Sequence, residues 1–200
     1  MEQINPTNKI GRENGFALLM TLIVVTIVIA IGLTVLDLST KQVRLASNAT
    51  DSEIAFHAAN AGMECARYWR RQGSDAMENG QTVSSVQCFA STPVNVVPQQ
   101  ITDNVTGDGE VYKYDYSFTW AGNTRCSQIT TLVASSTDNG DPSLDDVVIQ
   151  QMPTLIQGYP SSSKTCAVGE RCTVLSVRGY NKPCGSTTGY GTVQREVLLQ

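Results

Sequence analysis

The hydrophobic residues of this chain sit mainly at one end. From Phe16 to Leu36 the sequence reads FALLMTLIVVTIVIAIGLTVL, with no charged side chain between Glu13 and Asp37. At about 1.5 Å of helical rise per residue, a run of roughly 20 such residues crosses a hydrocarbon core of about 30 Å. The pattern therefore predicts a transmembrane helix over residues 16–36. A cleaved secretory signal would have a shorter apolar stretch followed by a small-x-small site. The run instead ends LTVLDLSTKQ, with no such site, so the segment is expected to stay attached.

The helix is not expected to stop at the membrane. Residues 37–72 contain no proline and are rich in Ala, Glu, Arg and other helix formers, which predicts an extramembrane continuation of the same rod. Its apolar positions, among them Val43, Leu45, Ala49, Ile54, Ala59, Met63 and Ala66, drift around the helix and make it only loosely amphipathic. Gly73 reads as the stop, and the stretch to Gly80 as a turn-rich exit.

From about Thr82 the vocabulary changes to Val, Thr, Ser, Tyr and Gly, with turn clusters such as NVTGDGE, STDNGDPS and GYPSSSK between short runs. Residues 73–200 are thus expected to form one β-rich globular domain. The clearest strand is Val111–Trp120, where Tyr112, Tyr114, Tyr116, Phe118 and Trp120 alternate with Lys113, Asp115, Ser117 and Thr119. Period two puts all five rings on one face. Such a face suits a sheet packing on a long helix better than an exposed adhesive surface. The runs CTVLSVRGYN and TVQREVLLQ read as two further strands. The expected fold class is α+β: a long N-terminal α-helix, transmembrane in its first half, packed on an antiparallel β-rich C-terminal domain.

Charge leaves the orientation nearly undecided, because Lys9 and Arg12 precede the span while Lys41 and Arg44 follow it. The cysteines bear on it more strongly. Cys65, Cys88, Cys126, Cys166, Cys172 and Cys184 are even in number and all lie beyond the span, as expected if that side is oxidising. Zinc would favour closely spaced CxxC pairs, whereas Cys166 and Cys172 have five residues between them, so disulfides are the better account. Cys166–Cys172 and Cys65–Cys88 are the expected local pairs.

Catalysis gains no support. The one histidine, His57, lies between Phe56 and Ala58 with no triad or zinc spacing around it, and no GxSxG, Walker loop, dinucleotide fingerprint or HExxH occurs. A net charge of −4 with no basic stripe speaks against nucleic acid as a partner. The cluster Arg67, Tyr68, Trp69, Arg70 and Arg71 reads most simply as a helix end whose dipole favours cations.

Gly15 and Phe16 at the head of an apolar helix that continues outside the membrane resemble the junction of type IV pilins. The stretch Ala55, Phe56, Ala58, Ala59, Ala61, Gly62, Glu64 and Ala66 resembles, more closely, the PilX-type minor pilins. The resemblance runs through Arg70 and no further. It implies a prepilin leader at residues 1–15, MEQINPTNKIGRENG, cut after Gly15 by a prepilin peptidase, with N-methylation of the freed Phe16. The small residues are expected to let neighbouring rods bundle closely.

One position departs from that pattern. Major pilins mostly have glutamate at the fifth mature residue, where this chain has Met20, and the family pairs that carboxylate with a neighbouring subunit's terminal amine. Its absence points by analogy to a minor subunit in a priming or tip role. The partners so implied are major and other minor pilins or pseudopilins, and membrane lipid. A minor pseudopilin of type II secretion shares every one of these features. A membrane-anchored binding domain that does not polymerise is the alternative from another class.

No cofactor is expected, with calcium as a weak alternative. Some pseudopilins hold that ion, and Asp138, Asn139, Asp141, Asp145 and Asp146 are dense in oxygen ligands. Their spacing is not that of an EF-hand, and a solvated acidic turn is the simpler reading. The same holds for Asp103, Asp108 and Glu110.

Overall fold

The computed structural model describes residues 14–120, 122–136 and 144–200. Most of the expected leader, with Lys9 and Arg12, lies outside the described residues. So do Asp138, Asn139 and Asp141.

The first element, α1 (Asn14–Gln72), is one helix of 59 residues. The chain divides into two compact units, residues 1–49 and 50–200, and α1 belongs to both. In the first unit every described side chain from Gly15 to Ala49 is exposed. The helix is long and apolar enough, by length and composition, to cross a membrane. Its threonines fit such a setting. Thr21, Thr26 and Thr34 donate their hydroxyls to the carbonyls of Leu18, Ile23 and Ile31, at 2.7–2.9 Å. Each thus satisfies its polar group within the helix and presents a methyl outward. Past Leu36, Lys41 pairs with Asp37 one turn earlier at 2.8 Å.

The globular unit takes in α1 from Thr50 onward. Gly73 does not end the helix in a left-handed cap, since its φ is −103° and ψ 23°. Its N–H still bonds to Trp69 O, and its carbonyl accepts from Met77, which opens a second short helix, α2 (Ser74–Glu78). The expected turn-rich exit is therefore partly helical. Gly80, at φ 61°, is the left-handed residue that ends it, and a Cβ there would lie 2.3 Å from the Tyr112 ring.

The strands follow as β1 (Val83–Val86), β2 (Val94–Val96), β3 (Pro98–Gln100), β4 (Val105–Thr106), β5 (Gly109–Trp120), β6 (Arg125–Ser136) and β7 (Val147–Gln150). After a one-turn helix α3 (Met152–Leu155) come β8 (Ser163–Cys166), β9 (Arg171–Tyr180) and β10 (Gln194–Leu199). They build a five-stranded sheet in the order β10-β9-β6-β5-β3, a three-stranded sheet β4-β7-β8, and the hairpin β1-β2, with every pairing antiparallel. This is the α+β class expected from the sequence.

The period-two pattern of the central strands separates two apolar layers. On one face Tyr114, Phe118, Ile129, Val133, Leu175 and Val177 meet Met63, Ala66 and Met77 and the β1-β2 hairpin. On the other, Val111, Leu132, Ala134 and Val174 pack against Val147, Ile149, Met152 and Ile156 beneath the small sheet. Tyr114 and Phe118 are buried, and Tyr112, Tyr116 and Trp120 are partly so and pack on the same face. The alternating rings of β5 are thus core.

Candidate functional site: the leader junction and the long helix

Gly15 and Phe16 lie in the first turn of α1 as described. A Cβ on Gly15 would touch nothing within 4 Å, and Phe16 is 67% exposed. Met20 stands one turn further along the same side of the helix and is 48% exposed, so an apolar thioether occupies the place where a carboxylate would sit. The junction is held by backbone alone, in a segment with no packed neighbours among the described residues of its unit.

The small-residue stretch belongs to the globular unit and does something other than expected. Ala55, Ala58, Ala59 and Ala66 are wholly buried, Gly62 is buried too, and they recur at helical spacing on one side of α1. That side lies on β6 and β9. A Cβ on Gly62 would fall 2.5 Å from Val177 Cγ1, and one on Gly179 would fall 2.1 Å from Ala59 N and 2.2 Å from Ala55 O. Ser127 Oγ donates to the Ala58 carbonyl at 2.6 Å in the same buried seam. The close approach that the composition signals is made to the chain's own sheet, so these residues are not free to pack against a neighbouring rod. Phe56, His57 and Glu64, between them, face outward. His57 is an exposed i,i+4 neighbour of Glu53 at 3.7 Å.

Gly179 is the residue that sequence reasoning missed. A glycine inside the β-branched run of β9 is the signal for another backbone passing close by.

The end of α1 is more than a cationic terminus. Glu78 is 9% exposed; its carboxylate accepts from Arg70 Nη2 at 2.7 Å and pairs with Arg171 Nη1 at 2.6 Å. Arg70 Nε also donates to Thr173 at 3.0 Å. One carboxylate thus ties α1, α2 and β9 together, with charge-assisted bonds offsetting its burial. Nearby, burial first, and then the neighbouring Tyr112, push the Tyr114 phenol up to about 12, with Arg70 opposing. The Tyr114 hydroxyl lies 3.1 Å from the carbonyls of both Met77 and Gln81.

Among the described residues no cysteine is free. Cys65–Cys88 joins α1 to the loop after β1, Cys126–Cys184 joins the start of β6 to the 3-10 turn before β10, and Cys166–Cys172 closes the connection from β8 to β9. Beside the first, Trp69 Nε1 donates to Gln87 O at 3.0 Å.

Two of the described acidic side chains, Asp108 and Asp146, accept backbone N–H groups. Asp108 Oδ2 accepts the Asp145 N–H at 2.9 Å, and Asp146 Oδ1 accepts the Val168 N–H at 3.1 Å. Glu110 accepts the Tyr112 hydroxyl at 2.8 Å. Among the described residues no group of three or more His, Cys, Asp or Glu could hold a metal ion.

The first unit is an exposed apolar helix, and the second packs its part of α1 on an antiparallel sheet. Residues 14–64 match the family model described as PilX N-terminal, which makes that stretch of the helix similar to type IV pilin-like proteins of the PilX type. No curated protein and no solved structure among those compared matches it. The match lies within α1 and stops before the sheet. The apolar helix and the match together fit a membrane-anchored pilin, and the matched family is typically structural and related to the type IV pilus.

Proposed function

We propose that this chain is a minor pilin or pseudopilin: a non-enzymatic subunit that is cut after Gly15, begins its mature form at Phe16, and enters or primes a type IV pilus-like filament through its N-terminal helix. The observation that carries this reading is the match of residues 14–64 to the PilX N-terminal family on a helix whose described side chains from Gly15 to Ala49 are all exposed. In this reading the leader stays in the cytoplasm and the disulfide-bearing unit lies outside. Lipid covers the apolar side chains before assembly, and helices of neighbouring subunits cover them afterwards.

Two details sharpen the role. The buried stripe Ala55, Ala58, Ala59, Gly62 and Ala66 is already used by the chain's own sheet, so filament packing falls to the segment before Thr50. Met20 offers no carboxylate to an incoming terminal amine, which suits a subunit that starts or ends a filament more than one that repeats along it. The experiment is N-terminal mass spectrometry of the protein purified from membranes, beside a Gly15→Ala control. A mature chain starting at methylated Phe16, lost in the control, supports the reading. A chain that keeps Met1 leaves an anchored module that does not polymerise.

A further inference from the structure

The loop that follows Cys88 holds Phe89 and Ala90 at φ 49° and 59°, two consecutive non-glycine residues in the left-handed region. That conformation is disfavoured for any L side chain with a Cβ, and it persists only where the surroundings impose it. Here they do. Cys88 is tied to α1 by its disulfide, its N–H bonds to Ser91 Oγ at 3.2 Å, and Ser91 N–H returns to Cys88 O at 2.9 Å. The result is an aromatic ring placed outward: Phe89 is 59% exposed, with its centroid 5.9 Å from Phe118 and 6.1 Å from Trp120.

Beside that ring lies an open groove of about 460 Å³, between this loop and the turn that follows β5. Ser91, Thr92, Thr119 and Asn123 line it with hydroxyls and an amide, and among the described residues no charged side chain does. Thr119 donates to Asn123 Oδ1 at 2.7 Å, which points the remaining capacity of that amide to its N–H donors. Trp120, also in the lining, has an indole N–H buried with no acceptor among the described residues.

We propose that this groove binds a neutral saccharide, with Phe89 as its stacking platform. A sugar ring has an apolar C–H face and a rim of hydroxyls that both donate and accept. An exposed aromatic face meets the first, and a wall of hydroxyl and amide groups meets the second. Among the described residues no cation lines the groove to recognise phosphate or carboxylate; Arg125, outside the lining, holds its guanidinium 5.3 Å from the centroid of the Trp120 ring. An apolar protein segment seated there would strip water from the polar wall without replacing its hydrogen bonds. The volume lies within the range of small-ligand sites, about 300–1,000 Å³.

The test uses the full chain in a detergent without a sugar headgroup, and saturation-transfer NMR with neutral oligomers of glucose, mannose and galactose. A hyaluronan oligomer serves as the anionic comparison. At least one neutral oligomer is expected to receive saturation. Its affinity should fall about tenfold or more in Phe89→Ala, hold in Phe89→Tyr, and be unaffected by Phe56→Ala, which removes an exposed ring elsewhere. Thermal unfolding of each variant checks the fold. If Phe89→Ala unfolds, Asn123→Ala and Thr92→Val take its place and must weaken binding. The proposal is overturned if no neutral oligomer binds, if hyaluronan binds as well as the best of them, or if a folded Phe89→Ala binds like the wild type. It is also overturned if Phe89 is protected by a second copy of the chain, which would make the groove a protein contact.

Discussion

Replacing Gly179 with alanine adds a single methyl group to β9, and the seam between α1 and the sheet has no room for it. The new carbon would stand 2.1 Å from Ala59 N, 2.2 Å from Ala55 O and 2.7 Å from Ala58 C. All three are backbone atoms, so no rotamer change relieves the clash. Non-bonded heavy atoms sit at about 3.5–4.0 Å, so α1 must withdraw by about 1 Å or more, and a gap of that size forfeits a quarter to a half of each contact it opens. Overpacking of this kind costs about 1–3 kcal/mol, and rigid backbone on both sides puts Gly179→Ala at the upper end. Withdrawal also stretches the Ser127–Ala58 bond, worth about 1 kcal/mol. Without the clash the sign would reverse, because alanine in a strand is favoured over glycine by about 0.5–1 kcal/mol. Urea unfolding followed by tryptophan fluorescence is well suited, since Trp69 and Trp120, the two tryptophans, both lie in the globular unit. With a slope of about 2 kcal/mol/M, the midpoint should fall by about 1–2 M, while Gly185→Ala, where a Cβ meets nothing within 4 Å, leaves it in place. A Gly179→Ala midpoint equal to wild type would refute the claim that α1 is seated backbone-to-backbone on β9.

Three further outcomes follow from the same contacts. Glu78→Ala should cost about 3 kcal/mol in urea unfolding by leaving the mostly buried Arg70 unpaired, whereas Arg171→Ala, whose side chain is largely exposed, should cost less than about 1 kcal/mol. Replacing Cys65 and Cys88 together with serine should lower stability by about 2–4 kcal/mol, most simply measured as a shift in the same transition. At alkaline pH the folded state holds Tyr114 protonated to about 12, while the unfolded chain ionises near 10.0. Stability from this group is therefore complete below pH 10 and is lost as pH rises from 10 toward 12; burial raises Tyr116 in the same direction. Tyr114→Phe should flatten that decline, and an equally steep curve in the variant would show that the burial of this phenol does not matter.

The long helix and the central strand were legible because their signals are local. An apolar run without proline dictates α1, and five rings at period two dictate which face of β5 is inner. The small-residue stretch was legible only in part. Composition said that something approaches closely, but the partner, Gly179, lies far along the chain, and only the sheet order brings it under Ala55 and Ala59. The expectation that neighbouring rods would fill that role failed for this reason. Arg70 was read as a terminal cation because its partner Glu78 sits on a helix too short to have periodicity of its own. Phe89 gave no sequence signal, since its exposure comes from two left-handed residues with none of the glycine that usually marks them.

As a proposed filament subunit, the chain is expected to leave the membrane with the filament it enters. The direct measurement is quantitative mass spectrometry of filaments sheared from cells expressing the wild-type chain or Gly15→Ala. A small, reproducible amount of the chain starting at Phe16 is expected in the sheared fraction of the wild type, and none in the variant, whose chain stays with the membranes. A chain that stays entirely in the membrane fraction while filaments are recovered normally would contradict the proposal.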